Sequence, residues 1–347
     1  MMVKLGWGRL ALVTAGLGLA CAMTACSSTG GDTPTDATAT APTTASPTAV
    51  APSDLPSAPS LSPTPIPVST SLDGVDATGA FGESPDVTVP VPWAIDTTRV
   101  KVLVPGSGIT CNGGLTQVNY YGVNARSGDK FDESYSNGSP VTFDLSGGMI
   151  AGFVKAIDGQ KEGTRLIAAI PGADGYDASG GNTDAGIELG DTLVFVIDIV
   201  RCEISQPTGQ AVTPTDTSLP TVGGTADAPT LTIPSSNTAP SSLVIQPLIK
   251  GEGDPVTADD FVKVNYAEYT WSNGQLVRQT FGFTPLTGML SATIEGWQTG
   301  LLGQTVGSRL LLVVPPNQAY PQGNPSLNIP TGSTMVYLID IMYAAQS

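Results

Sequence analysis

The sequence predicts an α+β protein built from two copies of one domain, each an antiparallel sheet wrapped over a single short helix. Three observations carry that expectation. The second half of the chain repeats the first, most segments of each copy are short runs rich in Val, Ile and aromatic residues, and one segment per copy switches to helical spacing.

From the N-terminus, Lys4 and Arg9 precede the apolar run "LALVTAGLGLACAM", the order of a secretory signal segment that is too short to span a membrane comfortably. "MTAC" at 23–26 resembles a bacterial lipobox, in which cleavage before a cysteine exposes it for acylation, so Cys26 is the expected lipid site after a signal peptide of residues 1–25. The same run also suits an ordinary cleaved signal. Residues 26–84 are dominated by Thr, Ala, Pro and Ser, too poor in core-forming residues to fold alone, and read as a disordered tether.

The first copy is expected over 85–204, a linker over 205–228, where "SQPTGQAVTPTDTSLPTVGGTADA" again lacks core residues, and the second copy over 229–347. "PDVTVP" at 85 matches "PTLTIP" at 229, "VNYYG" at 118 matches "VNYAE" at 264, "GQKEGTRL" at 159 matches "GQTVGSRL" at 303, and "TLVFVIDIV" matches "TMVYLIDIM". The order is conserved between the halves and the offset stays between 142 and 146 residues, which indicates duplication.

Within each copy, "LTQVNYYGV", "RLIAAIP" and "DTLVFVIDIV" are bounded by Gly, Pro or Asp and predict strands. In "MIAGFVKAI", Ile150, Phe153, Val154 and Ile157 fall at i, i+3, i+4 and i+7, one face of a short helix, and "TIEGWQTGLL" repeats the spacing with Ile294, Trp297 and Leu301. Gly152 and Gly296 lower the helical propensity of both segments, so packing must hold them.

Composition excludes several kinds of chemistry. Fourteen Lys and Arg against thirty Asp and Glu give a net charge of −16, which repels nucleic acid and anionic membrane surfaces. The chain has no histidine, which removes Ser-His-Asp triads, Cys-His dyads and His-ligated zinc together. Asp129 and Asp132 lack the second acid or the loop spacing that glycoside hydrolysis or calcium binding needs, and the pairs Gly113-Gly114 and Gly147-Gly148 lack the Lys-Ser/Thr of a phosphate loop. No cofactor and no metal are expected. If Cys21 leaves with the signal and Cys26 is acylated, Cys111 and Cys202 remain in an oxidising setting, either bridged or as two separate buried thiols.

Taken as blocks, "VNYYG…GDKFDES…GGMIAGFVKAIDGQKEGTRLIAAIPGADGY…GIELGDTLVFVIDI" resembles the FKBP-type peptidyl-prolyl isomerases over about residues 95–202, and the second copy is similar over about 240–345. The resemblance implies a five- to six-stranded antiparallel half-barrel around the helix, with an apolar pocket between them that binds proline. It implies proline-containing segments as substrates and macrolide-type inhibitors as ligands.

Such catalysis needs no nucleophile. Rotation about an X-Pro bond faces a barrier of roughly 18–20 kcal/mol because amide resonance is lost, and a dry, aromatic-lined pocket favours the less polarised twisted amide. In the first copy the resemblance assigns Tyr120, Phe131, Asp132, Ile150, Phe153, Tyr176, Ile187 and Phe195 to the pocket. By the same analogy Tyr176 and the N–H of Ile150 donate to the substrate carbonyl, and Asp132 accepts from the Tyr120 hydroxyl. Phe143 and Phe195 also suit plain core positions. Phe153 replaces the family's tryptophan floor, Val141 stands in place of a frequent aromatic, and "IELG" replaces Ile-Pro-Pro.

The second copy carries Tyr266, Ile294, Trp297, Tyr320, Ile329 and Tyr337 at those positions, but Val277 and Arg278 replace Phe131 and Asp132. Arg278 is expected to turn outward and leave that pocket wet, because desolvating a lone cation is costly. The resulting expectation is a lipid-anchored prolyl isomerase outside the bacterial plasma membrane that helps exported proteins fold, with the first copy the more active. Its rival is a non-catalytic proline-binding chaperone or scaffold that retains the same fold.

Overall fold

A computed structural model describes residues 66–234 and 238–346. The signal segment, Cys26 and most of the expected tether lie outside the described residues. Both copies belong to one compact unit, Pro63–Ser347.

In the first copy, β1 (Val68–Ser69) and β4 (Ala94–Ile95) pair in parallel, and β2 (Asp76–Thr78) and β3 (Asp86–Thr88) form a hairpin between them. The main strands follow as β5 (Arg99–Val104), β6 (Leu115–Asn124), β7 (Lys130–Glu133) and β8 (Val141–Asp144), then helix α1 (Ala151–Ile157), β9 (Arg165–Ile170) and β10 (Leu193–Cys202). They make one antiparallel sheet in the order β5-β9-β10-β6-β7. At ten residues β6 is long enough for two partners on one edge, β8 along Leu115–Val118 and β7 along Tyr121–Val123.

The central strands are buried on both faces, which is why they read as continuous apolar runs. With the strand period of two, Leu166, Ala168, Ile170, Phe195 and Ile197 meet Phe153, Ala156 and Ile157 of the helix. Their alternates Ile167, Ala169, Val194 and Val196 face the opposite layer, formed by Val75, Trp93 and Ile95.

That second layer corrects the expected tether boundary. Residues 66–84 are structured because Val75, 1% exposed, and its neighbours Leu72 and Ala77 cover the outer face of the sheet. A buried ion pair ties their loop down. Arg165, 1% exposed, holds Asp198 at 2.6 Å and donates to the carbonyls of Gly79 and Glu83, while the Gly82 N–H donates to Asp198.

The second copy comprises β11 (Gly209–Ala211), β12 (Thr221–Gly224), β13 (Pro229–Thr232), β14 (Val244–Gly251), β15 (Asp260–Thr270), β16 (Leu276–Gln279), β17 (Leu286–Met289), α2 (Glu295–Leu301), β18 (Arg309–Val314) and β19 (Met335–Gln346). The order β14-β18-β19-β15-β16, with β17 also on β15, reproduces the first sheet, and β11 adds a seventh strand beside β14. The expected linker at 205–228 is therefore built into the domain. It supplies β11 and the hairpin strand β12, and its Leu219 is buried against Leu311, Val313 and Leu338. Arg309 and Asp340 repeat the buried pair, with Arg309 donating to the carbonyl of Ala226. The duplicated unit thus begins with the outer hairpin, earlier than the matching "PDVTVP" and "PTLTIP" blocks.

The two copies meet along the ends of β10 and β19. The Ile204 N–H donates to the Met342 carbonyl at 3.0 Å, the Gln117 amide donates to the Gln346 carbonyl at 2.9 Å, and Lys263 pairs with Glu203 at 2.6 Å. Cys111 and Cys202 are bonded, with Cα atoms 5.1 Å apart. Ile109 and Ile204, each two residues from a bonded cysteine, pack into the core of the second copy.

Candidate active site

The first-copy site stands between the concave face of the sheet and α1. Strand β6 delivers Tyr120, β7 delivers Phe131 and Asp132, β10 delivers Phe195, and the helix delivers Phe153. The Tyr120 hydroxyl donates to Asp132 at 2.6 Å. Ring centroids lie 5.5 Å apart for Phe131–Phe195, Phe153–Phe195 and Phe143–Phe153, all nearly edge-to-face, the favoured geometry of aromatic pairs. Phe143 therefore belongs to the box as well as to the core, with its ring 5.8 Å from Tyr120.

Ile187, 3% exposed, is buried in the same cluster, and the half-buried Ile150 and Tyr176 pack against it. Burial raises the Tyr120 phenol far above its ordinary range, and the Asp132 charge adds to that. Burial also raises Tyr176. Ile150 occupies the capping position before the first residue of α1, with φ −62° and ψ 140°. Its N–H has no acceptor among the described residues. The helix glycines, unfavourable by propensity, are set by close approach: a β-carbon on Gly152 would overlap Ile170, and one on Gly296 would overlap Val314.

In the second copy, Tyr266, Ile294, Trp297, Tyr320 and Tyr337 line an open cavity of about 280 Å³, together with Arg278, Leu286 and Met289. Ile329 is buried in the adjoining apolar cluster and is not among the lining residues. Trp297 forms the floor, 5.1 Å from the Tyr266 ring and 5.4 Å from the Tyr337 ring. Its indole N–H is buried and has no hydrogen-bond partner among the described residues.

Arg278 stays on the wall of the open cavity with its side chain 46% exposed, instead of swinging clear of it. It pairs with Glu268 at 2.5 Å, donates to the Tyr320 hydroxyl at 3.0 Å and lies over the Tyr266 ring at 5.5 Å. Glu268 is completely buried and also accepts from the Tyr337 hydroxyl at 2.7 Å. A partner carboxylate removes the cost of a lone desolvated cation. Burial alone would lower the guanidinium's pKa, and the hydrogen bond and charge of Glu268 override it, leaving it raised.

Glu268 is the functional-site residue that sequence reasoning missed. The signal was present, because "VNYAE" places Glu268 against Gly122 of "VNYYG". In the sheets, Gly122 lies between Asp132 and Phe195, and Glu268 between Arg278 and Tyr337. The whole cross-strand row has changed together.

A family model described as FKBP-type peptidyl-prolyl cis-trans isomerase matches residues 110–200 and 253–342, just over half of the chain. The chain is 34% identical over 119 residues to a probable FK506-binding protein of Corynebacterium glutamicum, covering 34% of this chain and 98% of the relative. It is 34% identical over 123 residues to an FK506-binding protein of Streptomyces anulatus, covering 34% of this chain and 96% of that relative. Among solved structures, the crystal structure of the three FKBP domains of wheat FKBP73 aligns with 17% identity and a TM-score of 0.31, covering 72% of this chain and 95% of that one.

Proposed function

This chain belongs to the FKBP-type peptidyl-prolyl cis-trans isomerases, and from that premise we propose that catalysis is concentrated in the first copy while the second serves mainly to bind. The observation that carries this reading is the 2.6 Å hydrogen bond from Tyr120 to Asp132 at the mouth of a box of phenylalanine rings. The rings exclude water from a bound proline and favour the twisted, less polarised amide. A thousandfold gain requires only about 4 kcal/mol of such preference. Tyr176 and the Ile150 N–H, both at the edge of the box, hold the substrate carbonyl. Phe153 forms the floor, with Ile187 and Phe195 behind it. In the second copy the same row holds Arg278, Glu268 and Tyr337, which engage one another.

The reading extends to place and clients. The signal segment and the lipobox-like "MTAC" support acylation of Cys26 and attachment to the outer face of the plasma membrane. There the substrates are proline-containing segments of exported proteins, and macrolide-type inhibitors compete for the same pockets. A disulfide between Cys111 and Cys202 suits that oxidising setting.

The test is isomerisation of a proline peptide by the non-acylated chain, with each pocket impaired in turn. Tyr176→Ala should remove most of the activity and Tyr320→Ala little of it. The opposite pattern would overturn the assignment to the first copy.

A further inference from the structure

We propose that the second-copy pocket selects prolines flanked by an acidic side chain, with Arg278 as the specificity-determining residue. The inference rests on the reading of that pocket as a proline site. Three observations lead to it.

The first is the state of the guanidinium. Its Nε is engaged by Glu268 and one Nη by Tyr320, and its carbon lies 5.5 Å from the Tyr266 ring centroid. The side chain is still 46% exposed on the wall of the cavity. The outer edge of the fork therefore presents N–H donors to whatever enters. A carboxylate docking there meets donors that are already immobilised, so little side-chain freedom is lost on binding. Glu268 lies behind the guanidinium with no exposure, so an entering anion approaches the cation more closely than the compensating charge. Coulomb attraction falls with distance, and the nearer charge wins.

The second observation is the contrast between the copies. The position paired with Glu268 is Arg278, and the position paired with Gly122 is Asp132, so one pocket rim carries a cation where the other carries an acid. An acidic neighbour of proline is attracted at one rim and repelled at the other.

The third is Trp297. It lines the open cavity, and its N–H is buried with no acceptor among the described residues. Its ring lines the same cavity as Arg278, so a proline seated on that ring brings its flanking residue to the guanidinium.

The test uses the full chain in its non-acylated Cys26→Ser form, with the Trp297 indole N–H signal in a nitrogen-15 spectrum as the readout, assigned by its loss in Trp297→Phe. The probes are capped peptides Ala-X-Pro-X-Ala in which both X residues are Glu, Gln or Lys. The Glu peptide should move the indole signal with five- to tenfold higher affinity than the Lys peptide, and high salt should shrink that ratio. Arg278→Gln should abolish it. Because that change strands Glu268, the double variant Glu268→Gln with Arg278→Gln, which removes both charges together, provides a second test and should also bind the three peptides alike. Equal binding of all three by the unaltered chain would overturn the charge preference while leaving the proline site standing. Equal binding of a Glu peptide with Ala in place of Pro would reveal a bare cation patch and overturn the proposal. If no peptide moves the signal, the proline-site reading and the preference fall together.

Discussion

The ring of Phe131 covers Gly122 so closely that a β-carbon at residue 122 would stand 2.6 Å from its Cζ atom. The absence of a side chain at one strand position is thus what lets the aromatic wall close over the neighbouring strand. In the second copy the bulk moves across the pair: Glu268 stands where Gly122 does, and Val277 replaces Phe131. The volume lost from one strand is regained on the other, and the added group is a carboxylate that needs Arg278 and Tyr337 to be satisfied.

Gly122→Ala should therefore impair catalysis more than folding. The atom it meets is the far end of a half-buried ring that can tilt away, so the expected loss of stability is below about 1 kcal/mol. The tilted ring opens the box, and kcat/KM for a proline peptide should fall severalfold. In a Phe131→Val background the same substitution should have little further effect, because the two changes act on one contact. Additive losses in the double variant would refute the coupling.

Arg165→Met should destabilise the first copy by about 3–5 kcal/mol, since it leaves Asp198 buried without its partner and frees the carbonyls of Gly79 and Glu83. Because those carbonyls belong to the outer hairpin, limited proteolysis should cut between residues 66 and 90 before the rest of the domain unfolds. Urea titration with a single, unchanged transition and no early cut would show that the pair holds nothing down.

The sheet and helix were legible because their residues declare themselves locally. Ile150, Phe153, Val154 and Ile157 show one helical face in eight residues, and residues 166–170 are apolar throughout. The outer layer was not legible, since Val75 and Leu219 are lone apolar residues in Ser-, Thr- and Gly-rich text and gain their partners only from the back of a sheet formed later in each copy. Within the site, Tyr120, Asp132 and Phe153 followed from the family resemblance and fall together. The role of Arg278 did not follow, because the carboxylate that holds it in the pocket comes from the neighbouring strand, and pairwise comparison of positions misses such a compensating change.

The stability of the joined domains should fall as pH rises above the ordinary carboxylate range. Glu162 is buried and its pKa is raised above 4.5, chiefly by desolvation, with Asp254 adding to the shift while the N–H groups of Cys202 and Ile109 and the charge of Arg201 oppose it. A raised folded-state pKa means that the native chain holds its proton more tightly than the unfolded one. That stabilisation is present below the unfolded value and is lost as pH rises through the folded one. Glu162→Gln should flatten the dependence of the urea midpoint above pH 4.5 relative to the unaltered chain. Asp340, also raised by burial, leaves a residual slope in both proteins. Identical slopes would rule out Glu162 as a source.

Anchoring is tested by Cys26→Ser. The acylated chain should fractionate with membranes and the variant with the soluble or secreted fraction, whereas a variant retained on the membrane would defeat the lipid assignment.

The proposed division of labour between the copies sets a carboxylate against a tryptophan floor. The first copy combines Tyr120, Phe131, Asp132 and Tyr176 around the smaller floor of Phe153, and the second has the larger floor of Trp297 with Arg278 on its wall. A broad indole gives more apolar contact to a proline ring, which argues for the second pocket. Against that, an open cavity holding a half-exposed guanidinium keeps water and charge beside the amide, and a polar wall stabilises the planar, more polarised ground state along with the twisted one. Tight binding without discrimination lowers KM and leaves kcat unchanged. Phe131→Val with Asp132→Arg in the first copy should therefore lower the isomerisation rate of the whole chain at least tenfold, about 1.4 kcal/mol of transition-state stabilisation. Trp297→Phe should weaken peptide binding at the second pocket while changing that rate by less than about twofold. Measuring both variants on one proline peptide decides the matter, because a chain that keeps its rate after the first change and loses it after the second has its catalytic centre over Trp297.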